Sequence, residues 1–220
     1  MKTRLSWLEV VLLAAPFVAL AIYWNDLPAR VPMHWNFRGQ VDGWSAKTPG
    51  IFLIPLTGLG VTVLLYILPW FDPKLRRTSG EESRMSAILP IVRVATLGLL
   101  DTIFFAQIAT ALGRNVPGGR IIITSVLVFF IILGNYLGTV RPNYFVGIRT
   151  PWTLENPETW RATHRLGGRL MFFGALILLL AQFFIPEALF AWSFVVSILA
   201  FAVWGILYSW HHSRTHAAKR

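Results

Sequence analysis

Six apolar runs separated by polar segments set the pattern of the chain: residues about 6–24, 51–71, 85–112, 121–139, 168–185 and 188–210. Each comes close to the roughly 20 residues that a helix needs to cross the hydrocarbon core of a bilayer. The pattern predicts an all-α integral membrane protein with six transmembrane helices and no sizeable soluble domain. The first run, within MKTRLSWLEVVLLAAPF, has the basic start and apolar centre of a signal peptide. No small-x-small cleavage site follows and the run continues to Tyr23 and Trp24, so it reads as a retained helix with an interfacial end. No internal repeat stands out, although three helical hairpins in series fit the order of the runs.

Composition sharpens this picture at one point. The chain is 55% hydrophobic and only 14% charged, yet its net charge is +10. That charge sits between apolar runs and not along one soluble face, so it points to membrane orientation and away from direct nucleic-acid binding. With the N-terminus inside, fourteen Lys and Arg fall on the cytoplasmic side: Lys2, Arg4, Lys74, Arg76, Arg77, Arg84, Arg141, Arg149, Arg161, Arg165, Arg169, Arg214, Lys219 and Arg220. Five fall outside: Arg30, Arg38, Lys47, Arg114 and Arg120. The asymmetry predicts that both termini are cytoplasmic. The chain has no cysteine, which removes disulfide and thiolate chemistry.

Two connecting segments are richer than topology requires. The outer one, residues 25–50, carries Pro28 and Pro32 to hold it extended and Gly39 and Gly43 to turn with positive φ, so it is expected to be ordered. His34, Asn36 and Asp42 put an imidazole, an amide and a carboxylate close together, with Trp35 and Trp44 available at the lipid interface. His34 and Asp42 are of zinc-ligand type, but no motif supplies the third ligand such a site needs. The reading preferred here is internal hydrogen bonding, with no metal and no cofactor.

The inner segment, residues 140–168, falls into two parts. RPNYFVGIRTPW from Arg141 is too interrupted by Pro142, Gly147 and Pro151 to be helical. Asn156, Pro157 and Glu158 then supply an N-cap, a first-turn proline and an acid at the positive end of a helix dipole. On the helix that starts there, Trp160, His164, Gly168 and Met171 share a face, with Arg161, Arg165 and Arg169 beside it and a bend allowed at Gly167-Gly168. Two readings stand for the arginines: anchoring on anionic headgroups, or a specific role for Arg149, Thr150 and Trp152 within their proline-bounded turn.

With these spacings, Asn143, Gly147, Arg149, Thr150, Pro151, Trp152, Trp160, Thr163, His164 and Arg165 resemble the signature of the SdpI family of bacterial membrane proteins. LPxxVPxHWNxxGxxDGWSxK, from Leu27 to Lys47, resembles the small membrane domain of unknown function that often precedes it. The resemblance implies a division into an N-terminal helical hairpin, 1–71, and a four-helix region, 72–220. It also implies immunity to a secreted antimicrobial peptide met outside the cell membrane, with relay of its presence to a cytoplasmic repressor.

Polar residues within the runs support a second reading. Arg93, Asp101 and Gln107 lie in the third run and Asn135 in the fourth. Charges in hydrocarbon need partners or water. Arg93 and Asp101 are eight residues apart, about 12 Å along a helix, so each is expected to find its partner elsewhere. A small transporter or membrane enzyme would use these groups to line a cavity, with His34 or His164 handling protons. No nucleophile–base–orienter set, phosphate-binding glycine loop or complete metal motif accompanies them, so no enzyme and no catalytic residue is assigned.

Overall fold

The computed structural model describes residues 5–71 and 82–217. Lys2, Arg4, Lys74, Arg76, Arg77, Lys219 and Arg220, half of the basic residues assigned to the cytoplasmic side, lie outside that range. The elements are α1 (Trp7–Tyr23), β1 (Arg30–Trp35), β2 (Val41–Ala46), α2 (Lys47–Phe71), α3 (Glu82–Ala111), α4 (Gly118–Leu137), α5 (Pro151–Glu155), α6 (Pro157–Ala181) and α7 (Glu187–Ala217). Five of these, α2, α3, α4, α6 and α7, are long and apolar enough to cross a membrane; α1 is apolar but shorter, at 17 residues. Leu53, Leu56, Val63, Ile177, Leu199 and Val203 are each about half exposed on the helix surfaces, the side chains a lipid solvent covers.

Local chemistry fixes the helix starts. Ser6 caps α1 in a reciprocal box with Glu9: its hydroxyl accepts from the Glu9 N–H at 3.2 Å and its own N–H donates to the Glu9 carboxylate at 2.7 Å. Asn156 caps α6, accepting from Glu158 and Thr159, as the Asn-Pro-Glu sequence predicts. Pro151, expected to break structure, instead occupies the first turn of the short helix α5, behind a Thr150–Thr153 cap. Its missing N–H costs nothing in that position.

The outer segment corrects the all-helical expectation. β1 and β2 pair antiparallel as a hairpin with irregular register around His34. Gly39 turns with φ 71°, but Gly43 lies in β2 without positive φ. Its reason is cross-strand space, since a Cβ there would meet the His34 Cβ at 2.8 Å. A buried cluster of Ala19, Leu20, Val31, Ile51, Phe104 and Ile108 seats the hairpin on α1, α2 and α3. Two further clusters lie around Trp160 and Leu89, and around Leu127, Ala175 and Phe190.

α4 and α6 cross with almost nothing between their backbones. A Cβ at Gly168 would lie 2.7 Å from the Gly134 carbonyl oxygen, and one at Gly134 would lie 2.6 Å from the Phe172 nitrogen. Such crossings suit a membrane, where small residues let helices pack by close contact. α6 runs as one helix through Gly167-Gly168, and close approach accounts for both glycines: a Cβ at Gly167 would strike Ile148 and Trp204.

Candidate functional site

On the hairpin, His34 Nδ1 and Asp42 Oδ1 are 2.5 Å apart, with 70% and 43% of the two side chains exposed. The pair is an accessible, directional acceptor–donor unit. Among the described residues no third His, Cys, Asp or Glu joins it to form a metal-binding group. Asn36 faces the turn instead. Its side-chain oxygen accepts from Arg38 N at 2.8 Å and Gln40 N at 3.1 Å, and its backbone exchanges bonds with Gln40 and Gly39. Asn36 therefore shapes the tip on which the dyad is displayed.

Helix ends hold the hairpin from beneath. Gln107 of α3 donates to the Pro32 carbonyl at 2.9 Å, and Lys47 donates to the carbonyls of Trp24 and Leu27 while lying over the Trp24 ring. Trp35 packs on Gly118 at the start of α4, and Gly39 on Gly119 and Glu187. Phe37 stacks on Trp192 of α7 with ring centroids 4.7 Å apart. Trp44 remains 48% exposed.

At the opposite helix ends, the inner segment is knotted by buried polar groups. Asn143 is fully buried: its amide donates to the carbonyls of Arg141 and Val146, and its oxygen accepts from Phe145 N and Val146 N. Gly147 has φ 121°, and a side chain there would enter the His164 ring. The fully buried His164 accepts from Ile148 N at 2.9 Å through Nε2 and donates from Nδ1 to the Trp160 carbonyl at 2.8 Å. Those two bonds together require the neutral, Nδ1-protonated tautomer. Trp160 stacks on this ring at 4.0 Å and donates to the Val140 carbonyl.

Thr150 hydrogen-bonds Ser209 of α7 at 2.9 Å, and Thr153 reaches back to the Ile148 carbonyl. Arg149 is exposed and donates to the Phe145 carbonyl at 3.2 Å. Trp152 is half-buried, while Arg161, Arg165 and Arg169 are exposed along α6. The segment thus combines a rigid buried base of Asn143, Trp160 and His164 with an accessible rim of Arg149, Trp152 and Arg165.

Among the described residues the polar groups within the helices have different partners. Fully buried Arg93 pairs with Glu9 of α1 and lies over the Tyr66 ring at 4.0 Å, as a partner on another helix was expected. Its Nη1 and Nη2 have no hydrogen-bond partner, nor has the Tyr66 hydroxyl. Asp101 is buried with Oδ2 unpartnered, Gln107 is committed to the hairpin, and Asn135 is exposed on α4. Among the described residues Arg93, Asp101 and Asn135 thus have separate surroundings: a pairing with Glu9, a buried site and an exposed helix face. Glu9 escapes sequence reasoning as the partner of Arg93, although the Ser6-x-x-Glu9 spacing marks it as a capping residue. Ser209 carries no such signal.

Comparison with known proteins matches residues 139–209 to the SdpI/YfhL protein family and residues 11–59 to the Domain of unknown function (DUF1648). The chain is also 24% identical over 208 residues to the Immunity protein SdpI of Bacillus subtilis (strain 168), covering 93% of this chain and 94% of that one. No solved structure matches. The hairpin's exposed dyad lies in the segment that matches DUF1648 and the buried inner knot in the segment that matches the SdpI/YfhL family, so the chain is a multi-pass membrane protein similar to these two families in separate segments.

Proposed function

We propose that the protein is a membrane immunity protein with six spans and cytoplasmic termini, protecting its cell against a secreted antimicrobial peptide. The similarity to Immunity protein SdpI along nearly the full length of both chains carries this reading. The N-terminal hairpin, 1–71, presents the His34–Asp42 dyad outward as the sensing surface, and the four-helix region, 72–220, holds the inner segment. The rim of Arg149, Trp152 and Arg165 is the surface offered to a cytoplasmic repressor. No catalytic step is assigned.

The test is cross-protection. A Bacillus subtilis strain lacking its Immunity protein SdpI is given this chain and challenged with killing supernatant from a strain that retains it. Survival is expected, with His34→Ala and Asp42→Ala losing protection at unchanged membrane levels. Arg149→Lys should also impair function, because lysine lacks the planar fork that reaches the Phe145 carbonyl, while Arg161→Lys should be silent. A chain that accumulates in the membrane yet protects neither there nor against supernatant from its own source would overturn the proposal.

A further inference from the structure

An open groove of about 670 Å³ runs between α3 and α4, lined by Gly98, Leu99 and Thr102 on one side and Ile121, Val128 and Phe129 on the other. It continues into a hollow of about 260 Å³ beside Pro90 and Ile91, the two sharing Val94, Ala95 and Ile132. The larger part alone falls within the roughly 300–1,000 Å³ of small-ligand sites. Its walls are apolar, and their few polar groups are almost all satisfied internally. Thr124 donates to Gln182, Gln182 to the Leu179 carbonyl, Ser125 to the Ile122 carbonyl and Thr102 to the Gly98 carbonyl.

Arg120 is the exception. It lines the groove from the first turn of α4, and its Nε is enclosed without a hydrogen-bond partner. Glu187 lies against Gly39 and Gly119, and no ion pair joins it to Arg120. A guanidinium at the end of an apolar trough calls for an anion attached to an apolar chain. From Thr102 to Pro90 the trough follows twelve residues of α3, about 18 Å. One leaflet's share of a hydrocarbon core about 30 Å thick is similar. A peptide lying there would find no free donor or acceptor for its backbone except Arg120, whereas an acyl chain needs none.

We propose that this groove binds one anionic phospholipid, its acyl chain between α3 and α4 and its phosphate at Arg120. Placing it in the outer leaflet rests on the orientation proposed above; the site itself does not. Native mass spectrometry of the full-length protein, exchanged with dioleoyl phosphatidylglycerol or dioleoyl phosphatidylcholine, tests it. One phosphatidylglycerol should be retained about fivefold better than phosphatidylcholine. Arg120→Gln should erase that preference, while Arg114→Gln, an equal charge change in the preceding turn, should keep it. Val128→Trp, which fills the trough, should reduce retention of both lipids. An undiminished preference in Arg120→Gln, or an equal loss in Arg114→Gln, would overturn the proposal. So would unchanged lipid retention in an Arg120→Gln variant that loses protection, which would assign the groove to the toxin.

Discussion

The crossing of α4 and α6 gives a sharp quantitative test, because two glycines there face backbone and not adjustable side chains. In Gly168→Ala the new methyl would lie 2.7 Å from the Gly134 carbonyl oxygen and 3.2 Å from the Gly138 nitrogen. Reaching relaxed contact at roughly 3.5 Å requires the helices to part by about 0.8 Å, which forfeits a quarter to a half of the dispersion attraction along the seam. Overpacking of this kind costs about 1–3 kcal/mol, and backbone on both sides puts this site at the upper end. For a chain of this size the thermal midpoint in mild detergent should fall by about 5–10 °C. Gly174→Ala is the control on the same helix: nothing lies within 4 Å of its Cβ position, so helix propensity should make it neutral or stabilising by up to about 1 kcal/mol. Circular dichroism melts of the two variants and wild type decide the matter. Midpoints for Gly168→Ala and Gly174→Ala within about 1 °C of each other would refute the close-crossing account.

Two further substitutions probe the buried polar groups. Glu9→Gln leaves the buried Arg93 guanidinium without its anion and should destabilise by about 3–5 kcal/mol, whereas Glu9→Met combined with Arg93→Met should recover most of that loss; a double variant no better than the single one would show that the pair is not the cause. His164→Phe keeps a ring against Trp160 but strands the Ile148 N–H, so it should cost about 1–3 kcal/mol and speed proteolysis between residues 141 and 156. Wild-type melting and cleavage in that variant would remove His164 from its bracing role.

The helices were legible because each apolar run is long and each cap is local. Asn156-Pro157-Glu158 announces the start of α6 within three residues, and the face of Trp160 and His164 follows from 3.6-residue periodicity. The hairpin was not legible as strands. Its alternation is interrupted by Pro32 and by register shifts around His34, and its buried side rests on Gly50, Gln107 and Gly118 from three different helices. Side-chain partners were hidden for the same reason. Glu9 and Arg93 are 84 residues apart and Thr150 and Ser209 are 59 apart, so only the packing of helices brings them together. Arg149 shows the boundary: its carbonyl partner is only four residues away, whereas the burial of Asn143 depends on the whole turn closing.

The fold gives the β1–β2 hairpin and the 140–168 segment one element in common. Trp35 and Gly39 of the hairpin rest on Gly118 and Gly119 at one end of α4, while Gly134 and Gly138 near the other end touch Gly168 and Arg165 of α6. About 24 Å of continuous helix separates Gly118 from Gly134. At both ends a glycine is among the contacting residues, which brings the backbones themselves close together. α4 thus touches both the hairpin and the helix that carries Trp160 and His164. Closely packed contacts of this kind repack between discrete arrangements and do not deform continuously. This is the property that a receptor with an exposed dyad on one side and a hydrogen-bonded knot on the other would need from the helix between them.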